Sequence, residues 1–404
     1  MNGKSEQKKI INLSDFQVLK HIGEGSFGDV YQIKNKTTNK MYAAKILKNQ
    51  ISSDYLHNEE TLLFFREVKL LSILNHPSFI RFKGYSSVNF EQLPYPTIIT
   101  QFASNGTLKD IIKSESLGLS PKGWDETKKL INIYGIAEGL KYLHYNNIIH
   151  RDLKLENILL DDNLYPKISD FGLIKSIKSE SKSFQVESMK NLKGTPIYMP
   201  PESIMNMIYS KPGDVFAFAL IVYQIWTTHS PYSFANMNEL LSNVIINDKR
   251  PELTSDIPVQ FQELIEKCWR KDPKDRPTFD EIVDDLSNNS NYITDNINES
   301  EYFEYIDYIK NCKSSFDIEQ SIKFDDLVNK CSITSNKSDF DQQAINMTNN
   351  DDDNDMQIPK ANDKNPDLNG KVDYPNKIVE SDTQKKVRYA PKRKKKTTGT
   401  PLAT

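Results

Sequence analysis

His150-Arg151-Asp152-Leu153-Lys154-Leu155-Glu156-Asn157, followed after a short β-prone segment by Asp170-Phe171-Gly172, decides how this chain is read. Its meaning depends on what precedes it. Upstream lies Gly23-Glu24-Gly25-Ser26-Phe27-Gly28-Asp29-Val30, a GxGxxG element that, alone, also occurs in dinucleotide-binding folds. Here the glycines sit between two β-prone runs instead of opening a helix. They read as a hairpin whose backbone N–H groups can approach phosphates closely, against the plainer reading of a Gly-rich turn. Tyr42-Ala43-Ala44-Lys45 then puts a lysine at the end of the next β-prone run, facing those phosphates. A buried ammonium needs a carboxylate, because an uncompensated buried charge costs on the order of 3–5 kcal/mol, and Glu67 on the inner face of the following helix pattern is the candidate. Taken singly, each would be an ordinary surface residue. All of these elements in this order are improbable by chance.

Outward from these motifs, Phe16 to His21, Asp29 to Lys34 and Met41 to Leu47 are β-prone runs separated by turn residues, which predicts a small antiparallel sheet. Leu62, Leu63, Phe65, Leu70, Leu71 and Leu74 recur at helical spacing until Asn75-His76-Pro77 ends the pattern. Beyond Thr107 the character becomes helical. Leu130, Ile133, Ile136, Ala137, Leu140 and Leu143 form a stripe, and Val215 to Trp226 reads as a buried helix. After about Leu286 the composition shifts to Asn, Asp, Ser and Lys, with one helical patch in which Tyr302, Phe303, Ile306 and Ile309 would share a face.

The 404 residues suffice for a sizeable core, and 52 Lys and Arg against 55 Asp and Glu argue against a chain built as a nucleic-acid clamp. Cys268, Cys312 and Cys331 show neither CxxC spacing nor paired histidines, so neither a zinc site nor a disulfide framework is indicated. Met1 to Lys9 is polar, no stretch has the apolar length to span a bilayer, and Asn2 excludes myristoylation. A cytoplasmic location is expected, with the nucleus as alternative. The tail carries an acidic run, Asn349 to Asp355, and a basic cluster of Lys385, Lys386, Arg388, Lys392, Arg393, Lys394, Lys395 and Lys396. That cluster reads as a solvated end or a signal for an import receptor, in preference to nucleic-acid binding, because no aromatic stacking platform accompanies it.

The combined motifs resemble the eukaryotic protein kinase superfamily, with its HRDLxxxN loop and DFG triplet. The resemblance implies an α+β, bilobal kinase fold: an N-lobe with a small antiparallel β-sheet and one main helix, and a larger, mainly helical C-lobe. The expected organisation is a flexible N-terminus over 1–14, a kinase domain over 15–289 (N-lobe 15–100, C-lobe 104–289), a partly helical extension over 290–335, and a disordered tail over 336–404 containing the basic cluster 385–396. ATP is the implied substrate and Mg²⁺ the implied cation, with Mn²⁺ an alternative.

By the same resemblance, Asp152 would orient the acceptor hydroxyl, Lys154 would offset charge on the γ-phosphoryl, Lys45 would hold the α- and β-phosphates, and Glu67 would hold Lys45. Asn157 and Asp170 would be the metal ligands, hard oxygen donors suited to Mg²⁺. Ile22, Gly23, Glu24, Gly25, Ser26, Phe27, Gly28, Val30, Ala43, Lys45 and Leu159 would enclose the nucleotide, with Thr100, Gln101, Phe102 and Ala103 as the hinge and Thr100 at the gatekeeper position. Phe171, Leu71 and His150 would form an apolar column between the lobes, and Asp214 would hydrogen-bond the catalytic-loop backbone, where a surface N-cap is the plainer alternative. Pro200 replaces the family's usual alanine before Pro201-Glu202, leaving Glu202 free to pair with Arg276. Ser176, Ser179, Ser181, Ser183 and Ser188 would be candidate phosphorylation sites, with Arg151 as receiver, or simply a polar loop.

Lys154 and Gly194-Thr195 follow the serine/threonine pattern, whereas Cys268-Trp269 to Phe279 resembles the tyrosine-kinase-like branch, so dual specificity stays open. A pseudokinase scaffold acting by docking is the competing class. No expected residue is substituted at Lys45, Glu67, Asp152, Asn157 or Asp170.

Overall fold

A computed structural model describes residues 10–24, 28–49, 59–171, 175–176, 195–206, 208–233 and 237–313. Strands β1 (Phe16–Glu24), β2 (Gly28–Asn35), β3 (Met41–Leu47), β4 (Phe82–Ser86) and β5 (Thr97–Gln101) form an antiparallel sheet in the order β1-β2-β3-β5-β4, with helix α1 (Glu59–Ile73) between β3 and β4 in sequence. Successive strand residues face opposite sides. Ile99 accordingly joins Leu13, Phe16, Ile33 and Ala44 in a small core on one face, while Ile98 joins the main core with Phe64, Val68 and Leu71 of α1. Gly28 has to be glycine: a Cβ there would lie 2.3 Å from the Ile46 carbonyl oxygen across the β2–β3 pair. The exposed edge at β4 is covered in part by residues 10–11, where the Ile11 N–H donates to the Tyr85 carbonyl at 2.8 Å.

The remaining described elements are mostly helical. They comprise α2 (Leu108–Ser116), α3 (Glu126–Tyr145), β6 (Ile148–Ile149), β7 (Ile158–Leu160), β8 (Pro166–Ile168), β9 (Lys175–Ser176), α4 (Pro201–Asn206), α5 (Lys211–Thr227), α6 (Met237–Leu240) leading into a π-helical turn (Leu241–Ile246), α7 (Val259–Cys268), α8 (Phe279–Asn288) and α9 (Glu299–Lys313). A capping box between Thr107 and Asp110 starts α2, and another between Thr278 and Glu281 starts α8. Among the described residues, no helix is long and apolar enough to cross a membrane.

Helix α3 is buried well beyond its apolar stripe, because α5, α8, α9 and β8 all pack against it. Its buried polar groups are paired accordingly. Tyr134 donates to Glu138 at 3.0 Å, and Asn132 donates to the Leu164 carbonyl at 2.9 Å. The expected face of α9 needs one correction. Tyr302, Ile306 and Ile309 are buried, but Phe303 is 40% exposed and Tyr305 takes its place. Positions 302, 305, 306 and 309 follow the helical repeat, whereas 303 lies about 100° round from 302. Tyr292, Ile297 and these α9 residues belong to the main core, so packing continues beyond residue 289. The acidic run, the basic cluster and Cys331 lie outside the described residues.

A glycine in mid-helix usually costs about 0.5–1 kcal/mol relative to alanine, so Gly135→Ala in α3 would be expected to stabilise on propensity alone. A Cβ at Gly135 would, however, lie 2.3 Å from Tyr305 Oη and 2.6 Å from Pro166 Cγ. Overpacking of this kind costs about 1–3 kcal/mol and should outweigh the propensity gain. Urea denaturation should therefore show Gly135→Ala less stable than the parent; an equal or higher midpoint would mean that α9 yields freely.

Candidate active site

Lys45 sits near the end of β3, paired in register with Val30 on one side and Ile98 on the other. Its ammonium reaches Glu67 of α1 at 2.9 and 3.1 Å and lies 3.6 Å from Asp170. Glu67 is 6% exposed. Burial alone would lower the Lys45 pKa, but the carboxylates of Glu67 and Asp170 outweigh it and hold the value above that of an ordinary lysine. One ammonium thus joins the sheet, the helix and the segment bearing Asp170.

Asp152, Lys154 and Asn157 converge with Thr195, which arrives from a distant part of the sequence. Thr195 Oγ1 donates to Asp152 Oδ1 at 2.8 Å, Lys154 Nζ donates to Asp152 Oδ2 at 2.7 Å and to Thr195 Oγ1 at 3.0 Å. Asn157 Nδ2 donates to the Asp152 carbonyl at 2.7 Å and to its Oδ2 at 3.2 Å. Both Asp152 oxygens are therefore held from three sides. Ser169 donates through its N–H and its hydroxyl to the Asn157 carbonyl, at 2.8 and 3.0 Å, which fixes the residue before Asp170 to Asn157. Asp170 itself has φ +60°, and Arg151 has φ +70°. Left-handed backbone at non-glycine residues is strained and persists only where its surroundings enforce it.

The enforcing group for Arg151 is Asp214, on α5. Its Oδ2 accepts the His150 N–H at 2.9 Å and its Oδ1 accepts the Arg151 N–H at 3.0 Å, while His144 Nε2 lies 2.8 Å from Oδ2. Asp214 is 3% exposed, so the surface N-cap alternative does not apply. Arg276 makes a bidentate pair with Glu202, at 2.6 and 3.0 Å. The Arg151 guanidinium lies over the Tyr209 ring at 3.9 Å.

Phe171 packs against His150 at 6.0 Å between ring centroids, and edge-on against Phe79 at 5.8 Å. Sequence reasoning missed His144, Phe79 and Tyr209, which carry no local motif; His144, in the last turn of α3 a few residues before His150, was the nearest to being found. Burial lowers the His150 pKa.

Of the predicted nucleotide-binding residues, Ile22, Gly23 and Glu24 end β1, Gly28 and Val30 lie on β2, Ala43 and Lys45 on β3, Thr100 and Gln101 end β5, Phe102 and Ala103 follow it, and Leu159 lies on β7. The Gln101 N–H is held by the Arg81 carbonyl at 2.8 Å. Glu24, at the end of β1, pairs with Lys48, just after β3, at 2.5 Å. Gly25, Ser26 and Phe27 lie outside the described residues, as do Gly172, Ser179, Ser181, Ser183, Ser188 and Gly194. Ser176 is described only as part of β9, paired with Ile148.

Among the described residues no cluster of three or more His, Cys, Asp or Glu could hold a metal alone. The carboxylate of Asp170 and the amide oxygen of Asn157, whose nitrogen is already committed to Asp152, form a hard-oxygen donor set. Such a set fits a cation that completes its shell with water and phosphate oxygens.

Burial alone would raise the Asp214 pKa, but the hydrogen bond from His144 and those from the loop backbone outweigh it and hold the carboxyl below the ordinary aspartate value. A depressed folded-state pKa contributes stability that is fully present above the unfolded value, near 4, and is lost as pH falls below it. Asp214→Asn should cost about 1.5–3 kcal/mol at pH 7, by analogy with hydrogen bonds to charged groups, and the gap to the parent should narrow at pH 3. Urea titrations at both pH values check this; an equal gap at both would contradict the linkage.

Residues 16–286 match the protein kinase domain family. The chain is 32% identical over 272 residues to the serine/threonine-protein kinase CTR1 of Arabidopsis thaliana, covering 67% of this chain and 31% of that protein. It is 33% identical over 273 residues to the RGS domain-containing serine/threonine-protein kinase A of Dictyostelium discoideum, covering 68% and 22%. It is 32% identical over 269 residues to the dual specificity protein kinase shkC of the same organism, covering 66% and 49%. The chain spans less than half the length of these curated relatives. With its sheet-bearing lobe, its helical lobe and the geometry between them, the chain belongs to the protein kinase family.

Proposed function

We propose that this chain transfers the γ-phosphoryl group of ATP to serine and threonine hydroxyls of protein substrates. The observation that carries the reading is the closed triangle of Asp152, Lys154 and Thr195, with Asn157 bonded to Asp152 and to the residue before Asp170. Phosphoryl transfer needs positioning and charge neutralisation more than covalent chemistry. Asp152, gripped at both oxygens, would orient the acceptor hydroxyl and take its proton. Lys154 is placed to offset negative charge on the transferring group. Lys45, kept above the ordinary lysine pKa by its two carboxylates, would bind the α- and β-phosphates as a cation. Asn157 and Asp170 would hold Mg²⁺, with Mn²⁺ an alternative, and such an ion supplies charge neutralisation on phosphate oxygens when bound.

The acceptor class rests on Lys154 and Thr195, with the names of relatives such as CTR1 in support. Dual specificity is the second reading, favoured by relatives named dual specificity kinases, shkC and pyk3. The basic cluster at 385–396 is read as an import signal on a chain acting in the cytoplasm and entering the nucleus; unchanged localisation after deletion of residues 381–404 would remove that part.

The deciding experiment supplies labelled Mg-ATP with peptides bearing Ser, Thr or Tyr as the single acceptor. The parent chain should label the Ser and Thr peptides, and Asp152→Asn should lower kcat by about 10²–10⁴-fold, the usual contribution of a positioned base. Labelling of the Tyr peptide as well would establish dual specificity. Binding of ATP without transfer, under every activating condition, would replace catalysis with a docking role.

A further inference from the structure

We propose that Tyr305 of α9 is a positioning residue for phosphoryl transfer, bracing, through β8, the loop that holds Phe79 against Phe171; this rests on the kinase reading above. The family match ends at residue 286, yet α9 lies beyond it and buries Tyr305 to 2% exposure. What admits Tyr305 is a bare strip on α3. Gly135 and Gly139 are one turn apart on the same helical face, and three segments fill the space that side chains would take there. A Cβ at Gly135 would meet Tyr305 Oη and Pro166. A Cβ at Gly139 would meet Ile168 Cδ1 at 2.6 Å, Ser78 Cβ at 3.1 Å and Phe79 Cε1 at 3.6 Å.

Tyr305 therefore sits against the start of β8, beside Pro166 and Tyr165, and the same strand meets the loop between α1 and β4 one turn further along α3. The loop is pinned by β8. Ile168 N–H donates to the Ser78 carbonyl at 2.7 Å, Ile80 N–H donates to the Ile168 carbonyl at 3.0 Å, and Lys167 Nζ donates to the Pro77 carbonyl at 2.7 Å. From this loop the Phe79 ring meets Phe171, next to Asp170, and the same loop continues α1, which bears Glu67.

Helix α9 is also anchored firmly enough to act as a brace. Glu301 pairs with Lys128 at 2.5 Å, and Lys128 lies 4.5 Å above the Tyr165 ring. Tyr165 in turn packs on Tyr305 at 4.6 Å. Asn298 N–H donates to Thr127 Oγ1 at 2.9 Å, and Thr294 and Asn296 both donate to Glu126 at 2.9 Å. A ring at 305 thus has a fixed base on α9 and packs against the strand that holds the loop, the arrangement by which a distant side chain can bias a catalytic geometry.

A purely structural role for α9 makes a different forecast, and Tyr302 separates the two. It is equally buried on the same helix and shares the Tyr134 ring with Tyr305, but its hydroxyl donates to the Leu286 carbonyl at 2.9 Å. The full chain would be compared with Tyr305→Ala, Tyr305→Phe and Tyr302→Ala at a temperature where all are folded by circular dichroism. Tyr305→Ala should lower kcat on the order of 3- to 30-fold, with the KM for the acceptor peptide unchanged, and should speed hydrogen exchange at the amides of residues 78–82. Tyr305→Phe, which keeps the ring, should recover most of the kcat. Tyr302→Ala should melt earlier while leaving kcat and the exchange of those amides within about 2-fold of the parent. Parent-level kcat in Tyr305→Ala, or equal losses in Tyr302→Ala, would overturn the proposal. If the parent chain itself transferred no phosphate, the kinase reading would fall, while unchanged exchange in Tyr305→Ala would separately refute the brace.

Discussion

The arrangement rests on one buried carboxylate. Asp214 sits on α5, a helix sealed almost completely inside the core, and from there it grips two successive N–H groups of the segment that carries the candidate catalytic residues. Arg151 adopts a left-handed backbone there, a conformation that costs on the order of 1–3 kcal/mol and needs an external hold. A carboxylate accepting backbone hydrogen bonds supplies that hold only if it stays ionised in an apolar setting, and His144 helps to keep it so. Asp152, Lys154 and Asn157 then project from a loop whose course is held by a helix buried along most of its length.

Across the cleft the logic is electrostatic. A buried ion pair such as Lys45–Glu67 is weak grounds for stability, because desolvation cancels much of the Coulomb gain. Its consequence is geometric: α1 must lie where Glu67 can reach Lys45, and Asp170 must approach the same ammonium. A polyanionic substrate would enter a site whose cations are already held by acids, so part of the reorganisation that binding would require is done by the fold. Phe79 and Phe171 add an apolar link beside this charged one, so that the position of α1 and the position of Asp170 are coupled by two kinds of contact.

The described structure does not stop where the kinase family match stops. Tyr292, Ile297, Tyr302, Tyr305, Ile306 and Ile309 are part of the main core, and α3 is shaped to receive them, with glycine at the point of closest approach. A helix on the surface of a domain typically buries a single apolar stripe against its host. Here the host helix is itself adapted, which makes α9 part of how the larger lobe is held together.

Much of this was legible in the linear sequence. The motifs from Gly23 to Gly28, at Lys45, from His150 to Asn157 and at Asp170 named the family and the lobes and marked the candidate site, because each of those chemical tasks demands a particular residue type at a short, fixed spacing. Helical and strand periodicity placed α1, α3 and α5 for the same reason: local geometry repeats every few residues. What the sequence could not decide was which distant residues meet. His144 with Asp214, Thr195 with Asp152, Phe79 with Phe171, and Tyr305 in place of Phe303 are pairings separated by tens of positions or chosen by the shape of a facing surface. No local repeat encodes such contacts; they follow from the packing of finished elements, and only the tertiary structure decided them.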